Sequence, residues 1–178
     1  LQEVMWQVPC GGPVRQIKGH QVQGRCSALG KSLGLVSCAK SKRSYRCPAK
    51  EMYQPSDLFR KAYGYAFKHY DYVAILSAKY GLLLPDEEID TYDLTLISMP
   101  VAQQKQWAER THRQMKSKLP MNEISEVFFH SGAAYRRYLT ELLESDGIKC
   151  VAPLGGLGLG KQKAWYLKAQ KVEHHVRS

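Results

Sequence analysis

The sequence predicts an α/β fold, a three-layer sandwich about a mainly parallel central sheet. Two observations lead there. Four short apolar runs end abruptly in small, polar or cationic residues: Leu33-Gly-Leu-Val-Ser-Cys-Ala-Lys-Ser-Lys42, Val73-Ala-Ile-Leu-Ser-Ala-Lys-Tyr-Gly81, Val127-Phe-Phe-His-Ser-Gly132 and Cys150-Val-Ala-Pro-Leu-Gly-Gly156. Runs of this length without polar interruption are those of strands buried on both faces. Segments of helical periodicity separate them, and strand–helix alternation favours parallel pairing. In open sheets of this kind ligands bind where strand carboxyl ends meet their loops, so the four junctions predict one shared cleft.

Residues 1–31 show neither helical nor alternating periodicity and are expected to form a flexible extension ahead of a single α/β domain over 32–178. A first strand is predicted at 33–38, then a polar loop over 39–55 carrying Lys40, Lys42, Arg43, Arg46 and Lys50. Ser56 can cap a helix whose Leu58, Phe59, Ala62, Tyr63, Ala66 and Phe67 share one face, ending near His69. A second strand spans 72–78, and Lys79-Tyr-Gly81 turns the chain into an acidic loop, 85–93. Leu94 to Ile97 reads as a short edge strand. Ser98 and Pro100 announce a largely exposed helix over 101–119. A third strand at 126–130 leads to a helix over 133–145, with Ala134, Tyr138, Leu139, Leu142 and Leu143 inward, closed by Asp146-Gly147. The fourth strand, 148–152, empties into a glycine-rich loop and a last helix from Lys161 to about Lys171. No internal repeat is present.

The 178 residues, 44% apolar and 24% charged, suit one globular domain with a single core. No apolar run reaches the length of a membrane span and none near the start resembles a secretory signal, so a cytoplasmic protein without membrane attachment is expected. Five cysteines at irregular spacing, with no C-x-x-C pair, read as reduced thiols rather than a disulfide framework or zinc ribbon. Cys38 stands beside Lys40 and Lys42, a cationic setting in which a thiol can become reactive; as a small hydrophobe it would simply fill space. The net charge of +10 is unevenly placed. Residues 1–50 carry nine Lys/Arg against one acid and residues 151–178 five against one, whereas residues 51–100 carry four against eight. Basic ends about an acidic middle suit a polyanion lying along one surface, DNA before RNA; the alternative is a solubilising surface.

Five groups of residues could carry chemistry or binding. The loop Pro153-Leu-Gly-Gly-Leu-Gly-Leu-Gly160 lies between a strand and a helix headed by Lys161, so backbone N–H groups, a helix dipole and a lysine could converge on a phosphate through Gly156, Gly158, Gly160 and Lys161. Gln162 stands where a Walker A motif needs Ser or Thr, and the glycines miss the dinucleotide-binding spacing, so nucleotide binding without ATP hydrolysis is the reading, beside a purely structural turn. His130, followed by Ser131-Gly132, ends an apolar strand and could serve as base or hydrogen-bond donor, or be a satisfied structural histidine. Lys79 and Asp93 could neutralise phosphate and activate water, or stabilise a cationic sugar during N-glycosidic bond cleavage; otherwise they are a surface cation and a turn cap. Ser37, Cys38, Lys40, Lys42, Ser77 and Gly132 sit at the same strand ends and would bind phosphate or nucleic acid. Tyr53, Tyr80, Tyr135 and Trp165 could stack a base, although aromatics at such positions also build cores. No second His or Cys has metal-ligand spacing, so neither a metal nor another cofactor is expected.

The ordered set Val36-Ser-Cys-Ala-Lys-Ser-Lys42, Ala49-Lys-Glu-Met-Tyr53, Leu58-Phe59, Ile75-Leu-Ser-Ala-Lys-Tyr-Gly-Leu82, Pro85-Asp86, Tyr92-Asp-Leu94 and the glycine-rich loop resembles a microbial family of uncharacterised domains distantly akin to the YaaA peroxide-stress proteins. The resemblance covers about residues 33–168 and implies nucleic acid as partner without naming a reaction. Val127-Phe-Phe-His-Ser-Gly-Ala-Ala134, a helix, a strand and Pro153-Leu154 are more weakly similar to the closing half of uracil-DNA glycosylases. The His-Pro-Ser motif of that family is missing, and Ser37-Cys-Ala-Lys40 replaces its Gly-Gln-Asp-Pro motif. The two likenesses imply a glycosylase-like or Rossmann-like sheet. They imply a protein that processes a base or nucleotide, with a noncatalytic DNA-protecting protein or a nucleotide sensor as alternatives.

Overall fold

The computed structural model describes residues 30–175, with side chains as far as residue 170; of the extension predicted over residues 1–31, residues 1–29 lie outside them, and Lys31 already begins the first strand. Five strands form one sheet in the order β4-β3-β1-β6-β7, from β1 (Lys31–Ser37), β3 (Tyr72–Ser77), β4 (Gly81–Leu83), β6 (Ile124–His130) and β7 (Lys149–Val151). β1 pairs in parallel with β3 and β6, and β6 with β7, while β4 returns antiparallel along β3. The predicted α/β class with a mainly parallel sheet is what the chain adopts. A two-stranded antiparallel ribbon, β2 (Cys47–Pro48) with β5 (Glu88–Ile89), stands beside it.

The central strands are apolar where both faces are covered. Leu33 and Leu35 of β1, Ala74 and Leu76 of β3, and Val127 and Phe129 of β6 belong to one buried cluster, with Trp107 and Met115 of α3 (Val101–Lys118) and Leu139 and Leu143 of α4 (Ala133–Ser145). Val36 and Ile75, offset by one residue and hence on the opposite face, join a second cluster with Phe59, Ala62 and Ala66 of α2 (Asp57–His69) and Tyr166 of α5 (Leu159–His175). Tyr53, just after the short α1 (Ala49–Met52), is buried there too.

Local signals explain the helix starts. Ser56 accepts a hydrogen bond from Phe59 N at 3.3 Å, the expected N-cap of α2. α3 follows Pro100 and is largely exposed, as expected; its Trp107, Ala108, Thr111 and Met115 recur on one face and are buried, Trp107 at 4% exposure.

The edge strand predicted at Leu94–Ile97 is not one. Leu96–Ser98 is a single 3-10 turn with Leu96 buried and Ile97 exposed. The edge belongs to Gly81–Leu83, because the turn Ala78-Lys79-Tyr80 folds β4 directly back on β3, pairing Ser77 with Gly81. Gly81 makes that turn at φ +78°, where a Cβ would also run into the Gln114 side chain. Gln114 accepts from Leu82 N at 2.8 Å and donates to Tyr80 O at 3.0 Å, fastening the hairpin to α3.

Among the described residues, no helix is long and apolar enough to cross a membrane.

Candidate functional site

From β1 the chain crosses to β3 on one side, and β6 then joins β1 on the other. The carboxyl ends of β1 and β6 are therefore where the connections diverge, the position at which open α/β sheets form a crevice. A cleft of about 850 Å³ lies there. One wall is Val36–Lys42, leaving β1; another is His130–Tyr135, entering α4; Asp93–Thr95 with Ile97, the first turn of α2 and the start of α5 complete it.

Lys40 is exposed and Lys42 half-buried at the cleft, and neither has a carboxylate partner among the described residues. The Lys42 ammonium lies 4.5 Å from the Tyr92 ring centroid, a cation–π placement, and donates to Lys40 O at 3.4 Å. Asp93 is exposed on the same cleft, and no cation pairs with it among the described residues. Most carboxylates of the acidic segment are engaged elsewhere: Glu88 and Asp90 with Arg46, Asp86 with Lys50, Glu87 with Lys118. Lys163 also lines the cleft, but is paired at 3.4 Å with Asp57, which Lys61 and Arg60 share. The uncommitted charges of the cleft are thus Lys40, Lys42 and Asp93.

Beneath them hydroxyls form a connected row. Tyr92 OH lies 2.7 Å from Ser77 Oγ and 2.9 Å from Tyr53 OH; Tyr80 N donates to Ser77 Oγ at 3.1 Å, and Trp107 Nε1 to Ser77 O at 2.9 Å. Burial pushes the Tyr53 and Tyr92 phenols above their ordinary range, so both remain protonated donors at neutral pH. The Cys38 thiol sits 3.1 Å from Tyr135 OH, itself pushed up by burial. Cys38, Cys47 and Cys150 are all free thiols.

His130 is 5% exposed, and both ring nitrogens are taken: Nε2 lies 2.8 Å from Tyr70 OH and Nδ1 2.6 Å from Tyr166 OH. A neutral imidazole donates to one hydroxyl and accepts from the other. Burial, with His69 adding, lowers its pKa from 6.5 to about 4, so the ring stays neutral at neutral pH. Gly34 of β1 leaves room for this arrangement, since a Cβ there would strike the Tyr70 ring.

Of the residues singled out from sequence, Ser37, Cys38, Lys40, Lys42, Asp93, His130, Gly132, Tyr135 and Gly160 come together on the cleft. Ser77 is fully buried below it. Tyr53 is also fully buried, and Tyr135 is 7% exposed with its ring against Trp107, so these rings serve as core and hydroxyl donors, and no open stacking surface is left on them. Trp165 packs against Tyr65 and Tyr166. Lys79 does not join Asp93 in the cleft. It lies in a neighbouring hollow of about 430 Å³, 4.9 Å from the Tyr80 ring and 6.0 Å from that of Tyr92.

The glycine-rich loop closes on itself. Gly155 N and Leu157 N donate to Ala152 O and Leu154 O, Leu154 is buried, and Gln162 Nε2 donates back to Leu157 O at 2.6 Å. Gly156 turns the chain at φ +81°, and Gly156, Gly158 and Lys161 all lie off the cleft wall, leaving Gly160 on it. Asp57, Lys163 and Tyr166 reach the cleft without any local signal in the sequence, since long-range packing alone brings them there.

A search of curated proteins finds no match. The model of a family of unknown function, DUF6884, matches residues 33–168 and so takes in all of the sheet but the first two residues of β1, and every wall of the cleft. The chain belongs to this family, DUF6884.

Proposed function

We propose that the chain is a nucleic-acid-related enzyme acting on a base or nucleotide, with N-glycosidic bond cleavage as its reaction. The observation that carries this reading is the convergence of two uncommitted lysines, Lys40 and Lys42, and one uncommitted carboxylate, Asp93, on a cleft of about 850 Å³ at the β1/β6 divide. That volume fits a nucleotide. Lys40 and Lys42 hold its phosphate, and Asp93 faces the sugar. In hydrolysis a water oxygen bonds to the anomeric carbon while the carbon–nitrogen bond breaks, its electron pair leaving on the base. Asp93 takes the proton of the water and offsets the positive charge of the sugar. His130, neutral and held by two tyrosines, positions the cleft floor instead of acting as a base.

The finer architectural reading belongs to the same proposal: a three-layer sandwich of glycosylase-like or Rossmann-like kind, supported by two buried clusters that divide the strand residues by parity. So do the kinship with YaaA proteins, DNA as the preferred polymer and a cytoplasmic site of action. The second reading, a noncatalytic DNA-binding protein that protects against damage, is favoured by exposed cations without carboxylate partners that continue past the cleft to Lys79. Asp93→Asn separates the two. An enzyme keeps its nucleic-acid affinity in this variant and loses product formation, whereas a protective module binds equally well before and after substitution and releases no product from any substrate.

A further inference from the structure

The hollow that holds Lys79 shares Leu94 with the main cleft, and a lysine of each lies near the Tyr92 ring, Lys42 at 4.5 Å and Lys79 at 6.0 Å from its centroid. The far wall is a stripe of α3 made by Gln103, Gln106, Arg110 and Arg113, spaced by three or four residues so that they face one way. From Gln103 to Arg113 the stripe runs about 15 Å. Arg110 is held in place by donating to Lys79 O at 3.0 Å, and Arg113 is exposed with no carboxylate partner among the described residues. Glu109 is the one acid on this wall. Cations therefore continue from Lys40 and Lys42, past Tyr92, to Lys79, Arg110 and Arg113.

We infer that this hollow is a phosphate subsite for a nucleic-acid single strand whose reacting nucleotide occupies the main cleft. The inference rests on the nucleotide reading of the cleft and deepens it by naming a polymer as the substrate. A mononucleotide would use Lys40 and Lys42 alone and leave the second hollow idle. A strand runs its backbone over the ridge between the two, with Tyr92 and Leu94 beneath it and the guanidinium and amide groups of α3 meeting the next phosphates. A continuous duplex does not fit such a path, because only an unstacked base enters a concave cleft.

The test compares binding of a labelled oligothymidylate and of thymidine 5′-monophosphate to the full chain and to Arg113→Gln and Arg110→Gln/Arg113→Gln, across a salt series. Arg113 is exposed on α3, so its loss leaves folding intact. The ratio of oligonucleotide to mononucleotide affinity is expected to fall on the order of tenfold in the double variant. The slope of log affinity against log salt should drop by about 0.7 for each cation removed. A ratio and slope equal to those of the unmodified chain, with both ligands still bound, would overturn the subsite and leave the cleft reading standing. Binding of neither ligand by the unmodified chain would overturn both. Tighter binding of a duplex than of the single strand would also reject the inference.

Discussion

The hydroxyl oxygens of Ser77 and Tyr92 lie 2.7 Å apart and tie the end of β3 to the residue that precedes Asp93. The carboxylate of the cleft is thus anchored to the central sheet through a neighbour's phenol, with Tyr53 OH completing the row at 2.9 Å. Tyr92→Phe strands the Tyr53 hydroxyl in the core. It is expected to cost about 1–3 kcal/mol in urea denaturation and to lower turnover by loosening Asp93. Unchanged stability would show that the row is not structurally important.

Gly81 sits at φ +78° with the Gln114 amide where a Cβ would go. Gly81→Ala is expected to destabilise the fold by about 1–3 kcal/mol, because it meets backbone strain and also displaces the glutamine that fastens β4 to α3. Thermal unfolding checks this, and pairing it with Gln114→Ala should give less than the sum of the two single effects.

His130 supplies a pH dependence of definite sign. Its folded pKa of about 4 lies below the ordinary 6.5, so below pH 6.5 the unfolded chain takes up a proton that the folded chain refuses. The stability from this group is full above pH 6.5 and falls as the pH drops through about 4, by about 3 kcal/mol in all. Denaturation profiles of the parent and of His130→Gln should converge between pH 6.5 and pH 4. Parallel profiles would contradict the burial of a neutral ring.

Lys42 lines the cleft and Lys161 does not. Lys42→Gln should weaken mononucleotide binding by about tenfold, the loss of roughly one charge-assisted contact. Lys161→Gln should leave it unchanged. Calorimetric titration decides, and the reverse order would move the phosphate site back to the glycine-rich loop.

The sequence made the sheet legible because the long strands hold apolar runs and α2, α3 and α4 each carry a 3.6-residue stripe. β4 and the β2–β5 ribbon were not legible, since three- and two-residue strands carry no period and owe their existence to pairing partners. Leu94–Ile97 misled for the related reason that a short apolar run does not disclose its backbone. At the site, the loop from Ser37 to Lys42, His130 and Gly132 were visible as strand-end polar residues, and Asp93 as the close of the acidic loop. The environment of His130 was not, because Tyr70 and Tyr166 stand 60 and 36 residues away along the chain. Nor was the separation of Lys79 from Asp93, which depends on the tight hairpin at Gly81. The glycine-rich loop looked like a phosphate cradle from composition, but Leu154 and Gln162 turn its backbone bonds inward.

The most direct measurement of the central claim is base release by mass spectrometry from single-stranded oligonucleotides carrying uracil, oxidised or alkylated bases, with the full chain and its Asp93→Asn variant. The account predicts a free base from at least one substrate and its loss in the variant, whose fold and oligonucleotide affinity stay intact. Release that persists without the Asp93 carboxylate, or none from any of these substrates despite salt-sensitive binding, would contradict it.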